Sequence, residues 1–339
     1  MHVSAGGPYP NGFGSFFIAG CEEREGIRRT SNRVCWTALL GIVLMEFVLP
    51  WLGILFLKGI GFPFGRNLQF DGIPPVLYYL LVGFDYIVGM ALPAFLYFSA
   101  FRIPLSEGLP FRKTSAADVT LYVAFGCLCC LLANYPANLV LKLFNSCGFS
   151  GMPPEMPLNN DPAVLVLYGV SLAVIPPLVE EIMFRGVILQ SLRRYGDGFA
   201  VLFSAALFGL YHGNLIQMVF AFLSGLALGF VVIRTGSLLP AVLIHFFNNA
   251  VSYAVELVQR FYGQSTADYV NSIVTYVILV LGIGSLIVLF MQHKLRGERR
   301  SRNVLSFSSR LSAAWGNWGG VCFLAYGIVS SLYWVFYGG

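Results

Sequence analysis

Apolar positions in this chain gather into long uninterrupted blocks, with little of the alternation that marks a half-buried helix or strand. Eight blocks stand out, at residues 34–57, 75–101, 121–144, 163–192, 199–212, 215–233, 238–258 and 269–291. A bilayer core of roughly 30 Å takes about 20 residues of helix, and only helices or closed barrels satisfy their backbone in lipid. The pattern therefore predicts an all-α polytopic transmembrane helix bundle of about eight helices. The block at 199–212 is short and spans only if its helix extends back toward Arg193 or stops partway through the membrane. A ninth block, 315–337, is apolar enough to span but is broken by glycines, so eight or nine crossings fit.

Composition agrees, with 57% apolar and 11% charged residues, which excludes an ordinary soluble domain. Threading the eight blocks alternately with the N-terminus inside puts 16 Lys and Arg on the cytoplasmic side and 4 on the other, with Arg185 in a span. The net charge of +5 is then a topology signal for an integral, multi-pass protein with a cytoplasmic N-terminus, and nucleic acid is no expected partner. The first residues lack the layout of a signal peptide. Residues 1–33 read as a cytoplasmic tail, 34–162 as N-terminal transmembrane helices with a Pro-rich outer loop, 163–258 as a polar-marked core, and 259–339 as a C-terminal helix with a basic tail that anchors on membrane lipid. Cys127, Cys129 and Cys130 read as inert apolar fillers.

Ionisable residues inside apolar blocks are costly and mark function or interhelical bonding. Glu46, Asp85 and Lys142 occur singly, and helix bonding or snorkelling accounts for them. The later blocks differ. One holds Glu180, Glu181 and Arg185, the next carries Phe208 and His212, and another carries His245, Asn248 and Asn249. Glu181 and Arg185 share a helix face and form an ion pair, while Glu180, rotated by about 100°, is left for another task. Pro176 and Pro177 kink the helix just before. At 1.5 Å per residue, Glu180, His212 and His245 lie roughly 20, 22 and 16 Å from the inner boundary, near one depth.

Such a cluster suits hydrolysis of an amide. A water between Glu180 and His212 loses a proton to the carboxylate, and His245 and Asn249 donate to the developing oxyanion. Glu180, His212 and His245 are also the residues that would ligate a divalent metal such as zinc, although no H-E-x-x-H is present and Arg185 competes for one carboxylate. No cofactor is therefore favoured. Rival readings are a proton-coupled transporter, weakened by the lack of paired interrupted segments, and a non-catalytic immunity or binding protein.

The order E-E-x-x-x-R, F-x-x-x-H and H-x-x-x-N on successive blocks resembles the CPBP family, the type 2 CAAX prenyl proteases and bacteriocin-processing enzymes also called the Abi family. The resemblance covers about residues 163–258. It implies an intramembrane endopeptidase in which Glu180 and His212 activate water and His245 and Asn249 line the oxyanion site, with Glu181, Arg185 and Phe208 in support. It also implies a peptide or lipidated protein substrate, such as a prenylated CaaX tail or a leader peptide. The family is often labelled metalloprotease, yet its members look more like glutamate proteases.

Overall fold

The computed structural model describes residues 11–62, 73–148, 158–296 and 303–337. Among them the named elements are all helical, and the one bridge outside helices, Phe111 with Ser237, joins two loops. Helix α1 (Asn11–Val43) runs through a π-helical turn (Leu44–Val48) into α2 (Leu49–Gly59). Then come α3 (Pro75–Ala100), the short α4 (Leu105–Gly108) and α5 (Ala116–Ser146). A broken helix follows: α6 (Pro162–Gly169), a π turn (Val170–Val174), α7 (Ile175–Glu181), a second π turn (Ile182–Ile188) and α8 (Leu189–Leu192). The chain ends with α9 (Asp197–Tyr211), α10 (Leu215–Thr235), α11 (Leu239–Tyr262), α12 (Gln264–Met291), α13 (Phe307–Trp315) and α14 (Trp318–Tyr337).

Among the described residues eight segments are long and apolar enough to cross a membrane, as the sequence predicts, but their membership differs. Helix α9, with 15 residues, is only about 22 Å long and falls short of a bilayer core. In its place Trp318–Phe336 qualifies. Its glycines are contact points: a Cβ on Gly319 would lie 2.7 Å from the Asn32 carbonyl oxygen, and one on Gly327 2.5 Å from a Leu210 methyl. Trp51, Phe56, Phe84, Tyr276, Val280 and Phe290 all face outward, a surface that water would not tolerate and lipid does. The protein is an integral, multi-pass membrane protein.

Within the tail expected over residues 1–33, α1 begins at Asn11 and continues without a break, while residues 1–10 lie outside the described residues. The reason is a buried stripe: Ile27, Ser31, Val34, Cys35, Ala38 and Ile42 recur at helical spacing and pack into the bundle. Part of the Pro-rich loop (149–157) and part of the basic stretch (297–302) lie outside the described residues.

Loops that alternate threading assigns to one side do meet at one end of the bundle. Arg194 Nη2 donates to Thr30 Oγ1 at 2.9 Å, Arg234 Nε to the Lys294 carbonyl at 2.7 Å, and Lys294 pairs with Asp118. At the opposite end Arg260 donates to Asn160 and to the Leu158 carbonyl.

Helices α9 and α10 form a tight antiparallel hairpin. A Cβ on Gly209 would come 2.8 Å from the Met218 carbonyl oxygen, one on Gly225 3.2 Å from the Ala205 Cα, and one on Gly229 3.1 Å from Val201. Small residues at four-residue spacing let two backbones close on each other where lipid gives little drive to associate. Gly213 turns the chain between them with φ +62, and Asn214 Oδ1 accepts from Ile216 N at 3.0 Å to start α10.

Candidate active site

Glu180 and Glu181 end α7, between the two π turns. Pro176 and Pro177 open α7, where their missing N–H groups cost least, and the wide turn before them absorbs the mismatch through an Ile175 N–H to Val170 O bond. Wide turns leave carbonyls poorly served within the helix, and side chains from elsewhere serve them. Asn249 Nδ2 donates to Leu172 O at 3.0 Å, Ser204 Oγ to Phe184 O at 2.7 Å, and Gln190 Nε2 to Arg185 O at 3.1 Å.

The predicted ion pair is present: Arg185 Nη1 lies 2.8 Å from Glu181 Oε1, and both side chains are fully buried. Arg185 Nη2 also reaches the Gly225 carbonyl at 3.4 Å. Its guanidinium carbon stacks 4.3 Å over the Phe208 ring. Phe208 in turn meets His212 edge-on at 4.8 Å and His245 at 5.9 Å, so one aromatic ring spaces the cation and both imidazoles.

Glu180 points elsewhere, as its rotation predicts. Tyr86 on α3 donates its hydroxyl to Glu180 Oε1. Glu180 Oε2 is buried without a hydrogen-bond partner and lies 3.7 Å from His245 Nε2. His245 Nδ1 donates to Glu181 Oε1 at 3.1 Å, which turns Nε2 toward Glu180 Oε2. His212 is set the same way, with Nδ1 donating to Phe208 O at 2.8 Å and Nε2 left free.

A cavity of about 380 Å³ gathers Glu180, Phe208, His212, His245 and Asn249, leaving Glu181 and Arg185 behind its wall. It also takes in Tyr86, Asn248, Gln217 and Ser224. Tyr86 was illegible in the sequence, being one of 17 tyrosines in a chain rich in aromatics. Asn248 donates to Asn249 Oδ1 at 3.1 Å, so the Asn249 amide is held at both ends, with one N–H not used by Leu172. The expected oxyanion donors are therefore differently engaged: His245 faces two carboxylates and Asn249 braces a helix. Glu46 bonds Tyr326 at 2.6 Å and, with Asp85, lies outside the cavity lining.

Among the described residues no three of His, Cys, Asp and Glu converge in a metal-holding set. Glu181 Oε1 already serves Arg185 and His245, which leaves that carboxylate poorly placed as a ligand. The donors that the sequence offers a metal, Glu180, His212 and His245, line one cavity without meeting in such a set among the described residues.

An all-helical membrane bundle with one carboxylate and two imidazoles around a cavity, and a second carboxylate behind its wall, defines a polytopic protein with an intramembrane polar centre. Residues 162–251, 90 of the 339, match the family model of type II CAAX prenyl endopeptidase Rce1-like proteins, so this part of the chain is similar to that family of CAAX proteases. The matched segment takes in Glu180, Glu181, Arg185, Phe208, His212, His245 and Asn249. The domain implies an intramembrane endopeptidase acting on peptide or prenylated protein. Neither the curated proteins nor the solved structures give a match.

Proposed function

We propose that this protein is a glutamate-type CAAX endopeptidase that cleaves a lipidated C-terminal tail with water activated by Glu180. The observation that supports it best is the buried, unpartnered Oε2 of Glu180, facing a cavity into which the free Nε2 atoms of His212 and His245 also open.

In this reading Tyr86 holds one carboxylate oxygen, and the other takes a proton from a water that His212 orients. The hydroxide forms a bond to the scissile carbonyl carbon, whose oxygen takes up the electron pair and accepts from Asn249 and Asn248 N–H groups. The proton on Glu180 then passes to the leaving nitrogen as the C–N bond breaks, and Glu180 regains its charge. The water ends divided between the new carboxylate and the new amine. Arg185 pairs with Glu181, and Glu181 fixes His245 through Nδ1. The basic end of the bundle, where Arg194, Arg234 and Lys294 gather, is the cytoplasmic one in this reading, with the N-terminus inside.

The test is cleavage of a farnesylated CaaX peptide and an unlipidated control by purified wild type and Glu180→Gln, each with and without a strong chelator. Cleavage lost in Glu180→Gln and indifferent to chelation supports the reading. Loss on chelation with rescue by zinc would make these residues metal ligands. Cleavage that persists in Glu180→Gln overturns the role of Glu180.

A further inference from the structure

A second, larger cavity of about 1030 Å³ opens at the basic end, away from the carboxylate centre. Its rim carries Arg112, Arg193, Arg194, Arg234 and Arg310, against only Glu107 and Asp197. Five positive and two negative charges leave an excess of three. Asp197 is taken, since Arg193 Nε pairs with it at 3.0 Å.

The other arginines are held by neutral groups that leave their charge unspent. Arg194 bonds the Thr30 hydroxyl, Arg234 the Lys294 carbonyl, and Arg310 the Tyr195 carbonyl. Arg310 Nε is buried with no hydrogen-bond partner. Arg112 lays its aliphatic stem over Gly236, where a Cβ would lie 2.8 Å from its Cδ. These five come from the α4–α5 loop, the α8–α9 junction, the end of α10 and α13, so folding gathers charges that the sequence scatters.

The inner wall has the opposite character. Val201, Phe230 and Ile233, all partly buried, line the same cavity from the start of α9 and the end of α10. A cationic rim above an apolar wall, at the level where spans end, fits a molecule with an anionic head and a hydrocarbon body. We propose that this cavity binds the headgroup of an anionic phospholipid, with the phosphate on the arginines and the start of an acyl chain along Phe230 and Ile233. Basic pockets between membrane helices hold headgroups by this combination of charge and depth. A soluble phosphate compound would use the rim and leave the wall idle.

The experiment titrates detergent-purified full-length protein with phosphatidylglycerol and with phosphatidylcholine and counts bound lipids by native mass spectrometry. Wild type should retain one phosphatidylglycerol at least about ten-fold more tightly than phosphatidylcholine. Arg112→Gln, at an exposed position whose removal leaves the packing alone, should weaken that site about five-fold, and Arg112→Gln with Arg234→Gln about 20-fold or more. Lys142→Gln, at the far end of α5, should change nothing. Equal retention of the two lipids, or retention unmoved by the single Arg112→Gln variant, overturns the proposal. Inorganic pyrophosphate at millimolar concentration should displace the lipid weakly. If it binds as tightly as phosphatidylglycerol and excludes it, the cavity is a soluble phosphate site and the lipid assignment fails.

Discussion

Tyr86 on α3 donates its hydroxyl to Glu180 on α7 from a position 94 residues earlier in the chain. One carboxylate oxygen is thereby fixed while the other faces the cavity, so the phenol orients the group that the proposed mechanism uses as base. Tyr86→Phe removes a hydrogen bond to a charged group worth about 1.5–3 kcal/mol while keeping the ring. Activity on a lipidated peptide should fall by roughly 10- to 100-fold in kcat, with KM little changed. An equal rise in KM at constant kcat would mean that Tyr86 shapes the cavity and does not position Glu180.

Arg185 is fully buried between Glu181, the Gly225 carbonyl and the Phe208 ring. Arg185→Met strands Glu181 without its cation, which costs about 3–5 kcal/mol for a broken buried pair. The expected result is a large drop in thermal stability in detergent, recovered in part by adding Glu181→Gln. Arg185→Lys should recover less, because an ammonium cannot span the carboxylate and stack on Phe208 together.

The hairpin that carries His212 depends on close backbone contact. Gly209→Val puts a branched side chain where the Met218 carbonyl stands 2.8 Å away. Overpacking of this kind costs about 1–3 kcal/mol and should separate α9 from α10. Activity should be lost at temperatures where circular dichroism still reports full helix content, whereas Gly198→Ala, which meets nothing within 4 Å, should be silent on both measures.

Cys21 and Cys147 are both exposed, near the basic end and the opposite end of the bundle respectively. In sealed cells an impermeant maleimide should label a variant whose one remaining exposed thiol is Cys147, and should reach Cys21 only after the membrane is opened. The reverse pattern would invert the proposed orientation.

Helix number and the Glu181–Arg185 pair were legible in the sequence because both rest on rules that act along the chain. A twenty-residue apolar run needs no partner to declare itself, and Glu181 with Arg185 obeys the one-turn spacing of any helix. What was hidden depends on approach between distant segments. The glycines of α14 weaken it as a lone apolar run, yet Gly319 leaves room for Asn32 of α1 and Gly327 for Leu210 of α9. The helical reach of α1 back to Asn11 was masked by charged residues on its outer face, Glu22, Arg24, Glu25, Arg28 and Arg29, which drowned the buried stripe in the local average. His245 also turned out to have its Nδ1 on Glu181, because the distance between α7 and α11 cannot be read from spacing within either one.

The two π-helical turns flanking α7 give the carboxylate segment its own rotational phase. A π turn closes its bonds one residue later than an α turn, so each holds a residue that an α-helix would not need. Removing one residue from 170–174 would take out that extra residue and turn α6 by roughly 100° against α7, leaving Pro176 and Pro177 without the wide turn that accommodates them. Hydropathy, length and membrane insertion would scarcely register the deletion, while Tyr168 would swing off Glu256, the partner it now holds at 2.8 Å. This stretch of chain is a helix to the membrane and a hinge to the site, and the two roles can be inherited or lost separately.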